Sequence, residues 1–318
     1  MCFFFRIQQE EKEPFMEKPF ERVTVVGTGI LGTQIAMLAV DAGYTVSVYD
    51  VRPGAFDDTY ARLYSDLKAK VSTPFIAWDR WQWCKEHIRF TTDLDEALQE
   101  ADLVIEAITE NVEAKRELFR TLGQKAPAQA ILASNSSSLP ISRMEESSGR
   151  PERCMNIHFY LPLQGMNMAD VMGGTKTLPE VMDAGEKWVR TLNLVPLRVN
   201  KEAMGFCFNN VWRAVKKQTL YMWANGFVDF RDIDRAWRIF TNSKVGPFGL
   251  MDSVGLDVVY DIEMAYYENS KDPKDKPPEQ LMEKIRRGEL GVKSGKGFYT
   301  YPDPEFLQPD FLDPQKGK

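Results

Sequence analysis

Apolar residues along the first two hundred positions switch repeatedly between short β-type runs and longer stretches of helical period. The run VTVV (23–26) ends at a glycine and opens straight into the apolar helical stretch ILGTQIAMLAVDAG (30–43), and TVSVYD (45–50) then alternates with period two. A mixed helical stretch (54–86) carries Trp78, Trp81 and Trp83, and a short strand follows around Ile88–Phe90. A helix is expected over 93–101 with Asp93 as its N-cap. Further strands are expected at 102–108, 130–135, 154–160, 169–175 and 195–200, with helices over 111–126 and 178–193. This alternation predicts an α/β class with a parallel, Rossmann-type doubly wound sheet. After Gly205 the period becomes helical to about residue 270, with breaks expected at Gly226, Gly246, Pro247, Gly249 and Gly255. That change predicts an all-helical C-terminal domain. Residues 269–280 read as a polar loop, and the proline-rich tail beyond 303 as extended chain.

The junction between the first strand and the first helix carries the clearest chemistry. Gly27, Gly29 and Gly32 stand in G-x-G-x-x-G spacing with strand before and helix after. The first glycine permits the tight turn, the second lets backbone approach a pyrophosphate, and the third lets helix pack on strand. The amino end of the helix, with Ile30 and Leu31, then presents unpaired N–H groups and a positive dipole end to phosphates. Asp50 ends the second strand 18 residues past Gly32, where an acid can accept hydrogen bonds from ribose hydroxyls and repel a 2′-phosphate. The expected cofactor is NAD, with Arg52 two residues on as the one feature pulling toward NADP. The chain accordingly divides into an N-terminal extension (1–20), a NAD-binding Rossmann-type domain (21–200), a helical substrate and dimerisation domain (201–302) and a C-terminal tail (303–318).

Composition narrows the class further. With 318 residues, 43% hydrophobic and 27% charged, the chain reads as a soluble globular protein. A net charge of −6 and the lack of any Lys/Arg run argue against a nucleic-acid partner. Apolar stretches fall far short of the roughly 20 residues a membrane span needs. The opening MCFFFRIQQEEKEPF, with an apolar run of four and no basic residue before it, makes a poor signal peptide, and Met16 is a sensible alternative start. Four cysteines (Cys2, Cys84, Cys154, Cys207) without a C-x-x-C suggest reduced thiols and a cytoplasmic setting. Two histidines and no ligand-spaced cluster leave no expected metal site.

Imidazole chemistry rests on one of those histidines. His87 lies in a charged, exposed stretch and reads as incidental. His158, in NIHFYLP, ends a strand on the carboxyl side of the sheet, where open α/β folds bind ligands. A histidine there suits taking a proton from an alcohol as hydride leaves; the alternative is a core histidine satisfied by backbone. Asp170 could orient the ring, or serve as a turn or cap residue. One hydroxyl among Ser136, Ser137 and Ser138 could hold a substrate oxygen, or the three could simply form a turn.

The stretches VVGTGILGTQIAMLAVDAGYTVSVYD, DLVIEAITENVEAKRELF, ILASNSSSLPIS, RPERCMNIHF, GFCFNN, DIDRAW, GPFGLMDSVGLD and GVKSGKGFYTY occur in family order, and over residues 21–301 the sequence resembles the L-3-hydroxyacyl-CoA dehydrogenase family. The resemblance implies that His158 is the acid/base, with Asp170 in the place of the acid that orients it. It implies that Ser137 touches substrate and cofactor and that Asn209 positions the reacting oxygen. Glu110, Lys115 and Lys293 match positions at the cofactor, and the helical domain implies a homodimer. The activity implied is NAD-dependent oxidation of a 3-hydroxyacyl-CoA and its reverse.

Three departures bear on the substrate. Asp170 stands where the family has glutamate, one methylene longer. The family's H-F-F-N-P-V-P reads H-F-Y-L-P-L-Q, so Leu161 replaces an asparagine at the nicotinamide end. Asp66 and Thr73 align with the CoA-contacting serine and lysine, although Lys68 and Lys70 lie near enough to substitute. These changes keep a second substrate class in view, a free 3-hydroxy acid or another bulky secondary alcohol. A non-catalytic dinucleotide sensor is a third reading, against which the trio His158, Ser137 and Asn209 argues.

Overall fold

The computed structural model describes residues 17–70, 74–161, 163 and 167–313. Cys2, Met16 and Thr73, named above, lie outside them. Contacts divide the chain into two compact units, one ending at Cys207 and the other beginning at Phe208.

The first unit is built on an eight-stranded sheet. In chain order it comprises β1 (Arg22–Val26), α1 (Ile30–Asp41), β2 (Thr45–Tyr49), α2 (Ala55–Lys70), α3 (Trp81–Glu86), β3 (Ile88–Thr91), α4 (Leu94–Leu98), β4 (Leu103–Glu106), α5 (Val112–Lys125), β5 (Ile131–Ser134), β6 (Cys154–Phe159), β7 (Met168–Gly173), α6 (Pro179–Thr191) and β8 (Val195–Val199). The strands lie in the order β3-β2-β1-β4-β5-β6-β7-β8. The expected N-cap forms: Asp93 accepts from the amides of Asp95 and Glu96; Asn111, expected inside the next helix, caps α5 through Ala114.

The sheet is not parallel throughout, which corrects the sequence expectation. β1 to β6 run parallel, but β7 pairs antiparallel with β6, and β8 runs parallel to β7. The connection between β6 and β7 spans only 160–167, too short for the dozen or more residues a parallel crossover requires. The chain must therefore turn back, and α6 then supplies a true crossover to β8.

Alternation along each strand covers both faces. Val23, Val25, Val46, Val48, Leu103 and Ile105 pack into one core with residues of α1 and with Trp188 of α6. Val26, Val104 and Leu132 pack on the other face against Phe119 and Leu122 of α5 and Leu98 of α4. Helix α1 is buried from Gly32 to Val40, as its apolar run requires. The tryptophan-rich stretch proves to be core rather than one continuous helix. Trp81 is fully buried, stacks with Trp78, meets Tyr60 and Tyr64, and donates its indole N–H to the Ile76 carbonyl at 2.9 Å. The expected N-terminal extension is also partly docked. Phe20 joins the core, and the Lys18 ammonium caps the Gly43 carbonyl at 2.5 Å and sits over Tyr44.

The second unit contains α7 (Phe208–Ala224), α8 (Phe230–Thr241), α9 (Pro247–Val254), α10 (Leu256–Ser270) and α11 (Glu279–Arg286). Gly249 does not break the helical pattern as expected; it lies inside α9, where Phe306 and Val245 press against the position a side chain would take. Pro247 is the first residue of that helix, a position that needs no N–H. The tail is not merely extended either. Phe306 and Phe311 are buried in the core of this unit, the first of them in a short 3-10 turn against Tyr299.

Two buried acids tie the second unit together. Asp234 accepts from the amides of Phe248 and Gly249 and from the Tyr299 hydroxyl at 3.0 Å. Asp252 accepts from the amides of Phe298 and Tyr299 and from the Tyr301 hydroxyl. The blocks DIDRAW, GPFGLMDSVGLD and GKGFYTY therefore recur together for a structural reason, because each acid in one block is satisfied by backbone in another. Burial raises the pKa of Asp234 to about 6, ahead of the opposing effect of its three donors. Its folded-state value thus exceeds the ordinary 3.8. The stability it contributes is full below that ordinary value and is lost as pH rises through about 6. Between about pH 4 and pH 6.5, urea unfolding is expected to show a larger loss of stability in the wild type than in Asp234→Asn. Equal slopes would refute this assignment.

Candidate active site

The carboxyl ends of β1, β4, β5 and β6 lie on one edge of the sheet, because these strands are parallel and adjacent. The glycine turn, Glu110, the serine turn and His158 sit at or just beyond that edge.

At β1 the glycine turn is built as the fingerprint requires. Gly27 has φ +100, and a Cβ there would strike the Ala107 carbonyl at 2.7 Å. A Cβ on Gly32 would lie 2.0 Å from the Gly27 carbonyl, so helix and turn touch backbone to backbone. Gly29 differs from both, with nothing within 4 Å of the position its Cβ would take. No contact inside the chain demands a glycine there, and the open space suits close approach of a pyrophosphate. Gly29 is also the N-cap of α1 and offers no capping side chain, while the first turn carries no acid. Ile30, 44% exposed, and Leu31 begin that helix.

Asp50 lies beyond the end of β2 and is tied to the same turn. Its Oδ2 accepts from the Thr28 amide and hydroxyl, both at 2.9 Å, and its Oδ1 from the Arg52 amide at 3.1 Å. Burial alone would raise its pKa, but these donors outweigh it and hold the carboxyl below the ordinary range. The Arg52 guanidinium is paired with Asp58 at 2.5 Å, which offsets its pull on a 2′-phosphate. Thr28 went unnoticed in the fingerprint; a hydroxyl between its first two glycines was the available signal.

At β4 and β5 the expected residues Glu110 and Lys115 belong to a partly buried network. Lys115 is 1% exposed, and its ammonium lies 2.5 Å from Glu106 and 3.4 Å from Glu110. Glu106 is fully buried and also accepts from the Ser134 hydroxyl at 2.6 Å and the Ile108 amide at 2.8 Å. Lys115 thus braces the β4–α5 turn from inside. Glu110 is held at the surface of the turn by the hydroxyls of Ser136 and Ser138 and by the Ser138 amide. Burial raises the pKa of Glu110, but the two serine hydroxyls and the Lys115 charge bring it below the ordinary value. Glu106 was missed as a site residue. An acid inside the apolar run DLVIEAI, nine positions before a lysine, is the sign that could have revealed the pair.

At β6 the three serines part company. Ser136 and Ser138 bind Glu110, while the Ser137 hydroxyl lies 3.1 Å from His158 Nε2. His158 is 3% exposed, and its Nδ1 lies 3.2 Å from Asp170 Oδ2. These two residues face each other directly in the β6/β7 ladder, so the shorter acid reaches the ring without an intermediary. Asp170 also accepts from the Tyr160 hydroxyl at Oδ2 and from the Cys207 amide at Oδ1, 3.3 Å away. Both its oxygens therefore act as acceptors, which assigns the imidazole proton to Nδ1 and leaves a lone pair on Nε2. Phe206 stacks parallel on the ring at 4.9 Å, and Tyr160 meets it edge-on at 4.5 Å.

The other expected residues are placed differently. Leu161 is exposed, with no group to replace the hydrogen bonds of an asparagine. Asp66 is exposed on α2, and Lys68 lies over the Trp78 ring at 4.6 Å. His87 is exposed and stacks on Trp83. Asn209, in the first turn of α7, and Lys293 belong to the second unit, where Lys293 is paired with Asp257 at 2.6 Å. Among the described residues no group of three or more His, Cys, Asp or Glu could hold a metal, and no helix is long and apolar enough to cross a membrane.

A glycine cradle with an acid at the second strand, set beside a histidine whose Nε2 is free to take a proton, defines a dinucleotide-dependent oxidoreductase. Residues 22–203 match the family model described as 3-hydroxyacyl-CoA dehydrogenase, NAD binding domain, and residues 205–301 match the C-terminal domain of the same family. The chain belongs to the 3-hydroxyacyl-CoA dehydrogenase family. It is 34% identical over 287 residues to a Bacillus subtilis protein described as a probable 3-hydroxybutyryl-CoA dehydrogenase, covering 89% of this chain and 98% of that one. Among solved structures, a diketoreductase described for dual catalysis of dicarbonyl compounds shares 34% identity at a TM-score of 0.79, covering 89% of this chain and 99% of its own. The (S)-3-hydroxybutyryl-CoA dehydrogenase of Ralstonia eutropha shares 27% identity at a TM-score of 0.78, over 89% of this chain and 100% of its own.

If Asp50 reads the ribose, Asp50→Ala is expected to lower the preference for NAD over NADP by about 10–100-fold, the worth of a charged hydrogen bond or two. The ratio of kcat/KM for the two cofactors measures this, and an unchanged ratio would remove Asp50 from the cofactor site.

Proposed function

We propose that the protein catalyses NAD-dependent oxidation of a 3-hydroxyacyl-CoA to the 3-oxoacyl-CoA, and the reverse, with His158 as general acid/base. The observation that carries this reading is the orientation of His158. Asp170 accepts a hydrogen bond from the Nδ1–H, and Nε2 faces the Ser137 hydroxyl with its lone pair. In this reading Nε2 accepts the proton of the substrate's β-hydroxyl during oxidation, and the imidazolium that forms is stabilised by Asp170. In reduction the same proton returns to the carbonyl oxygen. Ser137 gives the substrate oxygen a second hydrogen bond at the same place, and Asn209 is assigned to that oxygen only through its match to the family. NAD, when bound, supplies the hydride acceptor. Gly27, Gly29, Ile30, Leu31 and Gly32 hold its pyrophosphate, Asp50 its ribose, and Glu110 lines the nicotinamide side, with Lys115 fixing Glu110 from below. Lys293 is assigned to the cofactor only through its match to the family.

A second reading keeps the same proton chemistry on a dicarbonyl or free 3-oxo acid. The observations favouring it are Leu161 and Asp66 at positions the family uses for nicotinamide and CoA contacts, together with the likeness to the diketoreductase. The two readings separate by NADH oxidation with acetoacetyl-CoA against a panel of free 3-oxo acids and diketones. Turnover of acetoacetyl-CoA is the expected result; an inert CoA ester beside an active free compound would replace the first reading by the second. On whichever substrate turns over, His158→Gln is expected to leave NAD affinity intact and lower kcat by about 100-fold or more.

The free thiols of Cys84, Cys154 and Cys207 suit a reducing compartment, which we take to be the cytoplasm. Burial pushes the thiols of Cys84 and Cys154 up to about 12, so they stay protonated and unreactive. The second unit exposes Val211, Tyr221, Phe227, Ile239, Val258 and Ile262, and Phe240 is 92% exposed. We assign this apolar surface to a second copy of the chain. Light scattering should then give twice the chain mass, and Phe240→Glu should shift it toward a single chain. A monomeric wild type would refute the assignment.

A further inference from the structure

The two departures flanking His158 are coupled to each other in the structure. Asp170 is one methylene shorter than the family's glutamate, and Tyr160 carries a hydroxyl where the family's H-F-F has a ring alone. That hydroxyl donates to Asp170 Oδ2, the same oxygen that takes His158 Nδ1–H. Tyr160, one residue past the end of β6, meets the His158 ring at 4.5 Å, and Asp170 faces His158 from β7. We propose that Tyr160 is a positioning residue for the acid/base pair, holding the short carboxylate of Asp170 where it can fix the imidazole.

The need for such a residue follows from the other contacts of Asp170. The carboxylate is fully buried, and its remaining partners are His158 Nδ1 at 3.2 Å and the Cys207 amide at 3.3 Å. Charge-assisted hydrogen bonds usually run about 2.7–2.9 Å, so both are long. A buried carboxylate with only two long contacts is poorly satisfied and would turn toward better donors. The Tyr160 hydroxyl is its closest donor and pins Oδ2 toward the ring. The Tyr160 ring also stands edge-on to the imidazole, and the Phe206 ring lies parallel to it. Phe206 is itself held at φ +53, a conformation an aromatic residue keeps only where its surroundings enforce it. Tyr160 therefore acts twice: its hydroxyl fixes the acid, and its ring limits rotation of the histidine.

The inference rests on the proposed role of His158, so its test includes a reading that needs no substrate. Tyr160→Phe keeps the ring and removes only the hydroxyl. We expect kcat to fall about 10-fold, a part of the 10²–10⁴-fold that a positioned acid/base supplies, with KM for NAD unchanged within about twofold. Adding Asp170→Glu to Tyr160→Phe should restore most of kcat, since the longer acid reaches the ring without the hydroxyl. A purely structural tyrosine would not be rescued by a longer acid on another strand. In parallel, nitrogen NMR of histidine-labelled protein observes only two residues, His87 and His158. The wild type should show His158 with its proton on Nδ1, Tyr160→Phe a mixture of tautomers, and the double variant the wild-type pattern again. An unchanged kcat and tautomer in Tyr160→Phe, or a loss the double variant leaves in place, would overturn the proposal. If the wild type turns over no carbonyl at all, the functional reading fails, and the tautomer series alone decides the role of Tyr160.

Discussion

The antiparallel pairing of β6 with β7 places His158 directly across from Asp170, and most of what the site can do depends on that register. Side chains in a strand alternate strictly, so a slip of one residue would turn His158 or Asp170 to the opposite face. The register is secured by apolar burial on both sides. Met155, Ile157, Phe159, Ala169 and Val171 all point into the same core, so a slip would expose that whole set at once. Hydrophobic energy spread over the sheet thereby sets the position of a single polar contact. The reversal of direction after β6 has a functional effect too, since it brings a strand start against a strand end at the edge where ligands bind.

A second constraint acts through charge rather than packing. Glu106 and Lys115 are both almost wholly buried, and each would be costly alone. Their attraction need add little net stability, because desolvating both charges cancels much of it. The gain lies in direction. Glu106 spends its oxygens on Lys115, Ser134 and the Ile108 amide, joining β4, the turn beyond it, β5 and α5 in one network. Glu110 is then left at the rim, held by Ser136 and Ser138, while Ser137 between them turns to His158. The holds on Glu110 and on His158 are thus built from consecutive residues of a single serine turn. Any movement of that turn would disturb both.

Much of this was legible in the sequence where the governing rule is local. The glycine spacing, the acid at the end of β2, the helix cap at Asp93 and nearly every strand follow from periodicity and turn chemistry within a few residues. Pairings across the sheet were less accessible. That Lys115 pairs with Glu106 depends on how α5 packs beside β4, which no local pattern states. The pairing of Lys293 with Asp257, 36 residues away, was out of reach for the same reason. The reversed strand was within reach, because the eight residues from 160 to 167 cannot hold a crossover. Alternating β and α elements suggested a uniformly parallel sheet and obscured that count. Tyr160 stood beside Leu161 in the same altered motif, but its meaning required the register of β7.

The departures from the family pattern fall into two physical kinds, and the difference bears on the chemistry. Asp170 and Tyr160 compensate one another: a carboxylate has been drawn back and a hydroxyl has been supplied to hold it. The proton-handling geometry is thereby kept by different means, as expected where the imidazole must still be oriented. Leu161 and Asp66 are exposed and show no such compensation; one removes a hydrogen-bonding group and the other sets a negative charge on the surface of α2. Near them Lys68 turns its charge onto the Trp78 and Tyr64 rings, so the cation is held against the surface of α2 and α3. Compensation is thus found where two buried groups must satisfy one another, because an unsatisfied buried carboxylate is costly. At the exposed positions no buried contact demands it, and a change there leaves the fold around the histidine untouched.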